Sequence, residues 1–224
     1  MSNPVNILET IDNHVQMLKL IRRLPIGTKL FRGRMHQEKN KLKQVADFGP
    51  PPIELAKSNR MSAEGISLFY AALEQETALK EIYDEMEYAT VAKFKTNRNL
   101  TILDLTKLQS MAYPSIFDEE NRQKRNSLLF LKEFAKDICK KINGVPSIEY
   151  VPTQIVTEYF RYVFKSKYGN IDGILYNSSQ NNGGHCIVLF MSNEDFISDQ
   201  KCMVNKSTMK LEQFKNNFEA IKAI

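Results

Sequence analysis

The side chains of this chain that could perform chemistry together lie in a few short blocks of sequence. Arginines stand in LFRGR at residues 30–34 and in RMSAEGI at residues 60–66, a glutamate ends TALKE at residues 77–81, and two serines end DGILYNSS at residues 172–179. An arginine fork can bind paired phosphate oxygens through two charge-assisted hydrogen bonds, a geometry that lysine cannot match. A carboxylate can stabilise a positive charge that develops during bond cleavage. The blocks therefore contain the groups that an anion-binding site with a nearby carboxylate would need, although the glutamate alone is also typical of a helix surface.

Most other kinds of active site lack their signals in this sequence. The nine glycines form neither GxGxxG nor GxxxxGK[ST], and neither GxSxG nor HExxH occurs. The three histidines do not have the spacing of zinc ligands, and the three cysteines form no CxxC. Cys186 follows His185, but neighbours in a strand point to opposite faces, so we expect Cys186 in the core. We predict no metal site, no bound cofactor and no catalytic thiol, and we expect His14 at the surface.

The composition is that of a globular protein with a mildly basic balance. The 224 residues include 31 Lys and Arg against 26 Asp and Glu, a net charge of +5, and 42% are hydrophobic. The apolar runs are shorter than a membrane span and the N-terminus lacks a secretory signal, so we expect no membrane association and a cytoplasmic protein. Residues 29–43 hold six cations against one glutamate, which either a solvated loop or an anion site would explain. Neither half of the chain is strongly basic, which argues against a nucleic-acid interface.

Hydrophobic periodicity predicts a mixture of helices and strands. Helices are predicted at residues 4–23, 75–88 and 119–142 and from residue 152 onward, and the inward face of the last is predicted to be Ile155, Val156, Tyr159, Phe160 and Val163. Strands are predicted at residues 29–32, 67–73, 91–96, 100–105, 171–176 and 186–190, the last two as a hairpin. A further strand is predicted near Cys202 and a helix from Met209. The helices and strands do not alternate regularly, which favours an α+β domain with a mixed sheet.

The order and spacing of the chemical blocks resemble the RES domain, a family named for its Arg, Glu and Ser. The resemblance runs from about residue 29 to residue 190 and includes FGPPP at 48–52, YVPTQ at 150–154 and VTEYFR at 156–161. Asn59 and Ser62 depart from the glycine and asparagine that are frequent beside this arginine in the family. The resemblance implies a fold similar to ADP-ribosyltransferases. We accordingly divide the chain into an N-terminal helical extension (1–28), a catalytic RES domain (29–190) and a C-terminal extension packed on the core (191–224).

The resemblance also implies an activity, the consumption of NAD by cleavage of the bond between nicotinamide and ribose. NAD would be the substrate rather than a cofactor, with water or phosphate as the acceptor. The resemblance assigns catalytic roles to Arg32, Glu81 and Ser178, and substrate-binding roles to Arg60, Tyr70 and Ser179. Many members are toxins neutralised by a cognate antitoxin protein, which makes such a partner an expectation, and the additional helices make a homo-oligomer another. A protein ADP-ribosyltransferase is one alternative function, and a non-enzymatic module that binds nucleic acid or a protein partner is a second.

The resemblance gives the charged residues specific roles in the site, and each of them also has a plainer interpretation as an ordinary structural or surface residue. The arginines at 32 and 60 are expected to bind the pyrophosphate, although each could instead pair with a surface carboxylate. Arg34 is expected to be a solvated neighbour. Glu81 lies near the apolar face of its predicted helix, where we expect it to be partly buried and to stabilise the ribosyl cation. Its plainer interpretation is a surface glutamate paired with Lys80 or Lys93.

For the uncharged residues of the resemblance, the sequence leaves open which of two neighbouring side chains faces the site. Tyr70 is expected to stack on nicotinamide, whereas its plainer interpretation is a core tyrosine. Because adjacent strand residues face opposite sides, one of Phe69 and Tyr70 must be in the core. Ser178 and Ser179 stand where a strand ends, and the one that faces the site is expected to orient the nicotinamide amide or the carboxylate. We favour Ser178, with Ser179 as the alternative.

Overall fold

The computed structural model of the chain describes residues 12–37, 42, 45–82, 88–140, 150–193 and 195–196 and the backbone of residues 209–213. Residues 12–17 are helical, and the α-helices that follow are α1 (Gln75–Glu81), α2 (Arg122–Cys139) and α3 (Val151–Tyr162). Short 3-10 helices lie at Val45–Phe48, Ile53–Leu55 and Thr106–Ser110. The strands are β1 (Ile21–Leu24), β2 (Lys29–His36), β3 (Phe69–Ala72), β4 (Tyr88–Thr96), β5 (Leu100–Asp104), β6 (Gly173–Asn177), β7 (His185–Leu189) and β8 (Met209–Gln213). This mixture confirms the predicted α+β class.

The strands form one mixed sheet in the order β1-β5-β6-β7-β3-β2-β4-β8. The β5–β6 ladder is parallel, and the other ladders of these strands are antiparallel. The predicted hairpin is confirmed, since β6 and β7 pair from Gly173↔Leu189 to Asn177↔His185. β4 and β5 are consecutive in sequence but lie apart in the sheet, because β4 pairs with β2 and β8 while β5 pairs with β1 and β6.

Two hydrophobic cores stabilise the fold. In α2, a stripe of apolar residues at helical spacing is buried, namely Leu128, Leu131 and Ile138. It packs in the first core with the buried aromatic residues of α3, Tyr159 and Phe160. The second core includes Leu30, Phe48, Phe69, Phe94, Leu100 and Ile187. Strands β6 and β7 contribute residues to both cores and therefore lie between packed layers. Of the chemical blocks, LFRGR lies within β2, TALKE lies within α1 and DGILYNSS spans β6.

The sheet opens between β2 and β3. Phe31 and Ala72 are the one registered pair between these strands among the described residues, whereas β2 pairs with β4 along its whole length. Helix α1 lies close against β2, since a Cβ atom at Gly33 would stand 2.5 Å from Ile82 Cδ1 and 3.0 Å from the Ala78 carbonyl oxygen. A glycine at this position therefore lets α1 approach the strand, and the helix forms one wall of the opening.

The predicted helix at residues 4–23 is wrong in its C-terminal part. Lys19 has a φ of 51°, which ends the helical turn, and Ile21–Leu24 form β1 paired with β5. Main-chain pairing at a sheet edge is a tertiary contact that the local helical pattern does not report. His14, expected at the surface, is buried, and its Nδ1 lies 2.5 Å from the Ser127 Oγ. Residues 4–11 lie outside the described residues.

Two more predicted helices are shorter than expected or replaced by strand. Helix α1 ends at Glu81, and Tyr88 begins β4, where it pairs with His36 and stacks on that ring with centroids 6.0 Å apart. The helix predicted from Met209 is wrong over residues 209–213, which form β8 against β4. An open strand edge offers main-chain donors and acceptors that a weakly patterned segment can satisfy as a strand. The strand predicted near Cys202 lies outside the described residues.

The buried face of α3 also differs from the predicted one. Ile155 and Val163 are 56% and 61% exposed, and the prediction that they face inward is wrong. Thr153 and Thr157 occupy buried positions instead. The Thr157 hydroxyl donates to the Thr153 carbonyl, and the Thr153 hydroxyl lies 2.9 Å from the Tyr150 carbonyl oxygen and 2.5 Å from the Arg60 carbonyl oxygen. A hydroxyl that is satisfied within its own helix can be buried at little cost. The rotation of the face brings the first turn of α3 toward residues 58–62.

Candidate functional site

The opening between β2 and β3 widens into two adjoining chambers, which we call the cleft. The first chamber has a volume of about 330 Å³, and Arg32 of β2 lines it. The second has a volume of about 410 Å³, and Arg60, Lys140 and Ser179 line it. The boundary between them consists of residues that line both chambers, namely Asn59, Tyr70, Glu81 and Tyr176.

Glu81 and Ser178 contact each other at this boundary. Glu81 is the last residue of α1, and Ser178 directly follows β6. The Ser178 hydroxyl donates to Glu81 Oε1 and accepts the backbone N–H groups of Gln180 at 3.1 Å and Asn181 at 2.9 Å. A serine hydroxyl has one hydrogen and two lone pairs, so these three contacts use its full capacity and fix its direction. Of the two serines that the sequence leaves open, Ser178 is the one that donates to the carboxylate.

The surroundings of Glu81 differ from the expected, partly buried setting. The side chain is exposed rather than partly buried, because α1 ends where it faces the open cleft. Lys80, one partner in the plainer interpretation, pairs instead with Glu76 at 2.6 Å. Ser179 is also exposed, and the described contact of its Oγ is a weak one with Gln180 Nε2 at 3.5 Å.

Weakly acidic side chains form the floor beneath Glu81. Burial raises the pKa of the Cys186 thiol well above its usual range, and the charge of Glu81 and a hydrogen bond with it act in the same direction. Burial also raises the pKa of the Cys139 thiol to about 11 and that of the Tyr176 phenol well above 10, with the charge of Glu81 contributing to both. These groups remain protonated at neutral pH. A thiolate nucleophile is therefore disfavoured, and the floor presents neutral hydrogen-bond donors.

Arg32 contributes a half-buried cation to the first chamber. Its Cζ lies 4.9 Å from the centre of the Phe69 ring, and its Nη1 is buried without a hydrogen-bond partner among the described residues. Burial lowers the pKa of Arg32 to about 9, the charge of Arg34 lowers it as well, and Tyr70 opposes the change. The guanidinium is still protonated at neutral pH. A buried, charged donor without a partner is a site that an anion would satisfy.

Arg34 is not the solvated neighbour that the sequence predicts. Its Nη2 donates to the Gly49 carbonyl at 3.0 Å, and its Nε is buried. Burial lowers the pKa of Arg34, and the nearby charge of Asp47 opposes this shift. The correction follows from the strand, because β2 continues to His36 and carries Arg34 into the folded domain rather than into a loop.

Arg60 stands at the tip of a tight turn beside the second chamber. The backbones of Asn59 and Ser62 pair through two hydrogen bonds of 2.7 and 3.3 Å, which leaves Arg60 and Met61 at the tip. Met61 is buried in the first core, while the Arg60 guanidinium lies over the ring of Tyr150, with its Cζ 4.8 Å from the centroid. The turn thus separates an anchoring side chain from one that lines the chamber.

Tyr70 lies between the two arginines. Phe69 is fully buried and Tyr70 is half-buried, which confirms that these neighbours face opposite sides of β3. The Tyr70 hydroxyl and the Ser62 Oγ are 3.1 Å apart. Burial raises the pKa of Tyr70 to about 12, while the Ser62 hydrogen bond and the charge of Arg32 oppose the shift. Tyr70 is therefore a neutral phenol whose ring forms part of the wall between the chambers.

The two arginines, the glutamate and the serine of the cleft lie in the part of the chain that a protein-family model matches. The model of the RES domain family matches residues 30–207. The chain belongs to the RES domain family. Membership supports an NAD-related role for this RES domain, at the level of an NAD-utilising enzyme. The curated proteins and the solved structures gave no match to the chain.

A polar network that the sequence does not reveal holds the Glu81 and Ser178 elements of the RES domain together. Glu74, before α1, accepts hydrogen bonds from the backbone N–H of His185 at 2.9 Å and from the Thr77 hydroxyl at 2.8 Å, and its other oxygen lies 2.9 Å from His185 Nδ1. Asn181 Nδ2 donates to Thr77 Oγ1 at 2.8 Å, and Lys80 Nζ donates to Asn181 Oδ1 at 2.9 Å. Burial raises the pKa of Glu74, but its hydrogen bonds from His185 and Thr77 outweigh this and lower it overall. The polar run SSQNN predicts a loop, but nothing in its pattern indicates which helix it contacts.

The described residues contain neither a helix that could span a membrane nor a cluster of potential metal ligands. No helix among them combines the length and the apolar character that crossing a membrane requires. Within the same residues, His, Cys, Asp and Glu side chains do not gather in groups of three or more that could hold a metal ion.

Proposed function

We propose that this RES domain cleaves the bond between nicotinamide and ribose in NAD. The observation that carries the proposal is the Glu81–Ser178 pair at the boundary of two chambers that each hold an arginine. NAD is a dinucleotide whose pyrophosphate needs cationic donors and whose reacting ribose lies a few bonds away from it. A carboxylate between two cationic chambers fits both requirements.

The arginines are proposed to bind the pyrophosphate. Arg32 offers a buried Nη1 that lacks a partner among the described residues, and Arg60 lines the adjoining chamber. Charge-assisted hydrogen bonds to phosphate are about twice as strong as neutral ones, and an arginine can form two in parallel. Tyr70 lies between the arginines, and its ring is proposed to pack against the nicotinamide ring. Ser179, at the rim of the second chamber, is proposed to contact the substrate without taking part in the chemistry.

Glu81 is proposed to stabilise the ribose as its glycosidic bond breaks. The electron pair of the C1′–N1 bond moves to the pyridinium nitrogen, so nicotinamide leaves as a neutral molecule and the positive charge passes to the ribosyl group. Because the leaving group departs neutral, it does not need a proton from the protein. A fixed negative charge near the ribosyl cation is the main contribution that the site has to make. Ser178 holds the carboxylate in place by donating its hydrogen to Oε1.

The acceptor then completes the reaction. Attack of water on C1′ gives ADP-ribose and releases one proton, whereas attack of phosphate gives a 1-phosphorylated ADP-ribose. Neither route requires an oxidant, a reductant or a second cofactor, so NAD is a substrate only. Transfer of ADP-ribose to a protein side chain is the alternative outcome, and it shares the first step.

We further propose that the protein acts as a toxin or defence effector in the cytoplasm, where NAD is available. A protein that consumes NAD needs control in its own cell, so a cognate antitoxin protein is the proposed partner. Expression in a bacterial host should lower cellular NAD and arrest growth, and Glu81→Ala should do neither. Arrest without loss of NAD would contradict this role.

The test of the reaction is an assay with NAD labelled in the adenosine half. Purified wild type and Glu81→Ala are incubated with it in phosphate-free buffer, in phosphate buffer and with a cell lysate, and the products are separated by chromatography and by gel. We expect wild type to release nicotinamide and free ADP-ribose or its phosphate, and we expect Glu81→Ala to be strongly impaired. Label on protein without free product would identify the transferase. Intact NAD in all three conditions would exclude the proposed function, and strongly salt-dependent binding of nucleic acid in that case would favour the binding module.

A further inference from the structure

We infer that Gln154 is a positioning residue that fixes the Arg60 turn for anion binding, an inference that rests on the proposed role of Arg60 in the cleft. Gln154 lies in the first turn of α3, and its side chain reaches back to residues 58–62. It does not line either chamber of the cleft. Its effect on a ligand must therefore act through the turn.

The contacts of Gln154 tie both ends of the turn to the helix. Its Nε2 lies 2.8 Å from the Asn59 carbonyl and 3.2 Å from the Ser62 carbonyl, and it is 3.0 Å from the Ser58 hydroxyl. An amide group has two hydrogens, which suffice for the carbonyls on the two sides of the tip. Arg60 is thus held between two points that are bonded to one side chain.

Neighbouring residues of α3 support the same turn. The Thr153 hydroxyl donates to the Arg60 carbonyl at 2.5 Å, and the Tyr150 ring lies under the Arg60 guanidinium. The start of α3 therefore supplies a surface for the side chain, a donor for its own carbonyl and donors for the flanking carbonyls. Residues at the start of one helix therefore contact both the side chain and the backbone of Arg60.

The same turn also connects to the first chamber. Ser62, whose carbonyl Gln154 holds, places its hydroxyl 3.1 Å from the Tyr70 hydroxyl, and Tyr70 lines both chambers. A shift of the turn would move Arg60 and loosen Tyr70 together. We expect the consequence to be weaker ligand binding rather than a slower chemical step, because Glu81 and Ser178 lie on other elements.

The experiment compares Gln154→Leu, which keeps the size of the side chain but removes its donors, with Ile155→Ala as a matched control on the same helix turn. Ile155 is 56% exposed. We expect Gln154→Leu to raise the KM for NAD about tenfold and to change kcat less than twofold, whereas the control changes neither. In the Arg60→Ala background, the same substitution should change KM about threefold or less, because the residue it positions is absent and only the effect through Tyr70 remains. Multiplicative effects of the two substitutions, or an unchanged KM, would overturn the inference.

A second readout does not depend on catalysis. Calorimetric titration with inorganic pyrophosphate should show an affinity about tenfold weaker for Gln154→Leu than for wild type and Ile155→Ala. Hydrogen exchange of a peptide covering residues 58–62 should become at least five times faster in Gln154→Leu alone. If wild type binds pyrophosphate but leaves NAD intact, the proposed function fails while these measurements still decide the role of Gln154. If wild type does not bind pyrophosphate, or if exchange is unchanged, the inference is wrong. Thr153→Val, which removes a different donor to the same turn, gives the equivalent test should Gln154→Leu fail to fold.

Discussion

Replacing Glu81 with glutamine removes one negative charge from the cleft and preserves almost everything else. The amide oxygen of glutamine can still accept the hydrogen that the Ser178 hydroxyl donates, so the side chain keeps its position. Glu81 is exposed at the end of α1. Surface substitutions of this kind change the free energy of unfolding by about 0.5 kcal/mol or less. A loss of activity in Glu81→Gln would therefore report the charge rather than the fold.

The size of the loss follows from the setting of the carboxylate. Two unit charges about 4 Å apart interact by roughly 4 kcal/mol at an effective dielectric constant of about 20. The ribosyl group carries less than a full charge in the transition state, and the cleft is open to water beside Glu81, so we expect about 2–3 kcal/mol. Since about 1.4 kcal/mol corresponds to a factor of ten in rate, kcat should fall roughly 30- to 150-fold. The KM for NAD should change little, because the ribosyl cation does not exist in the ground state.

The matched control is Glu76→Gln. Glu76 lies earlier in the same short helix, is exposed, and pairs with Lys80 at 2.6 Å without lining the cleft. Nicotinamide release is measured at saturating NAD for wild type and both variants, and the control should retain at least half of the wild-type kcat. If Glu81→Gln retains more than a third of kcat, or if both variants lose the same amount, charge stabilisation by Glu81 is not the basis of the activity.

Three further predictions concern the elements around this carboxylate. Ser178→Ala should lower kcat about tenfold or more, since a hydrogen bond to a charged group contributes about 1.5–3 kcal/mol. In the same nicotinamide assay, this fold loss of kcat should be at least five times larger than the loss in Ser179→Ala. Equal losses in the two variants would mean that Ser178 does not hold Glu81. Gly33→Ala should lower the free energy of unfolding by about 1–3 kcal/mol, because its Cβ would meet Ile82 Cδ1 at 2.5 Å; Ile82→Val should recover part of this in urea unfolding, and a lack of recovery would count against the clash. Burial holds the pKa of His14 below 6.5, so as pH falls the unfolded chain binds a proton before the folded chain does, and the free energy of unfolding should decrease as pH drops through and below 6.5. In unfolding curves at pH 7.5 and 5.5, His14→Gln should reduce this dependence on pH. An unchanged dependence would refute the assignment to His14.

The parts of the fold that the sequence predicts are those with a local signal. The stripe of Leu128, Leu131 and Ile138 repeats at helical spacing and is buried in α2, and Phe69 and Tyr70 alternate as strand neighbours must. The order of the sheet has no such signal. β4 pairs with β2 rather than with β5, the strand that follows it in sequence. This pairing depends on contacts between residues that are distant in sequence. For the same reason β1 and β8, which are held at sheet edges, look like helix in the sequence.

In the candidate site, too, the sequence predicts the features that have a local signal and not the contacts between distant residues. Arg32, Arg60, Glu81 and Ser178 can be chosen from short blocks because each has a chemistry that stands out in its block. What the blocks cannot report is contact, and the choice between Ser178 and Ser179 needs the loop that turns one hydroxyl toward the carboxylate. Gln154 ends the YVPTQ block, but nothing in that block indicates its role, because it donates to main-chain carbonyls that any sequence would offer.

The distribution of positive charge bears on the kind of anion that the cleft can accept. A polyanion binds through exposed cations that exchange counterions along a surface. Within the basic run at residues 29–43, Arg32 and Arg34 instead lie on β2, with the Nη1 of the first and the Nε of the second buried. Arg32 lines the first chamber of the cleft, whereas Arg34 lines neither chamber, so a ligand that enters the cleft can reach Arg32. Under the proposed function, a bound phosphate would offset the cost of burying Arg32, which its lowered pKa reflects. The position of Arg32 inside the cleft therefore favours a small anion over a polyanion as its proposed ligand.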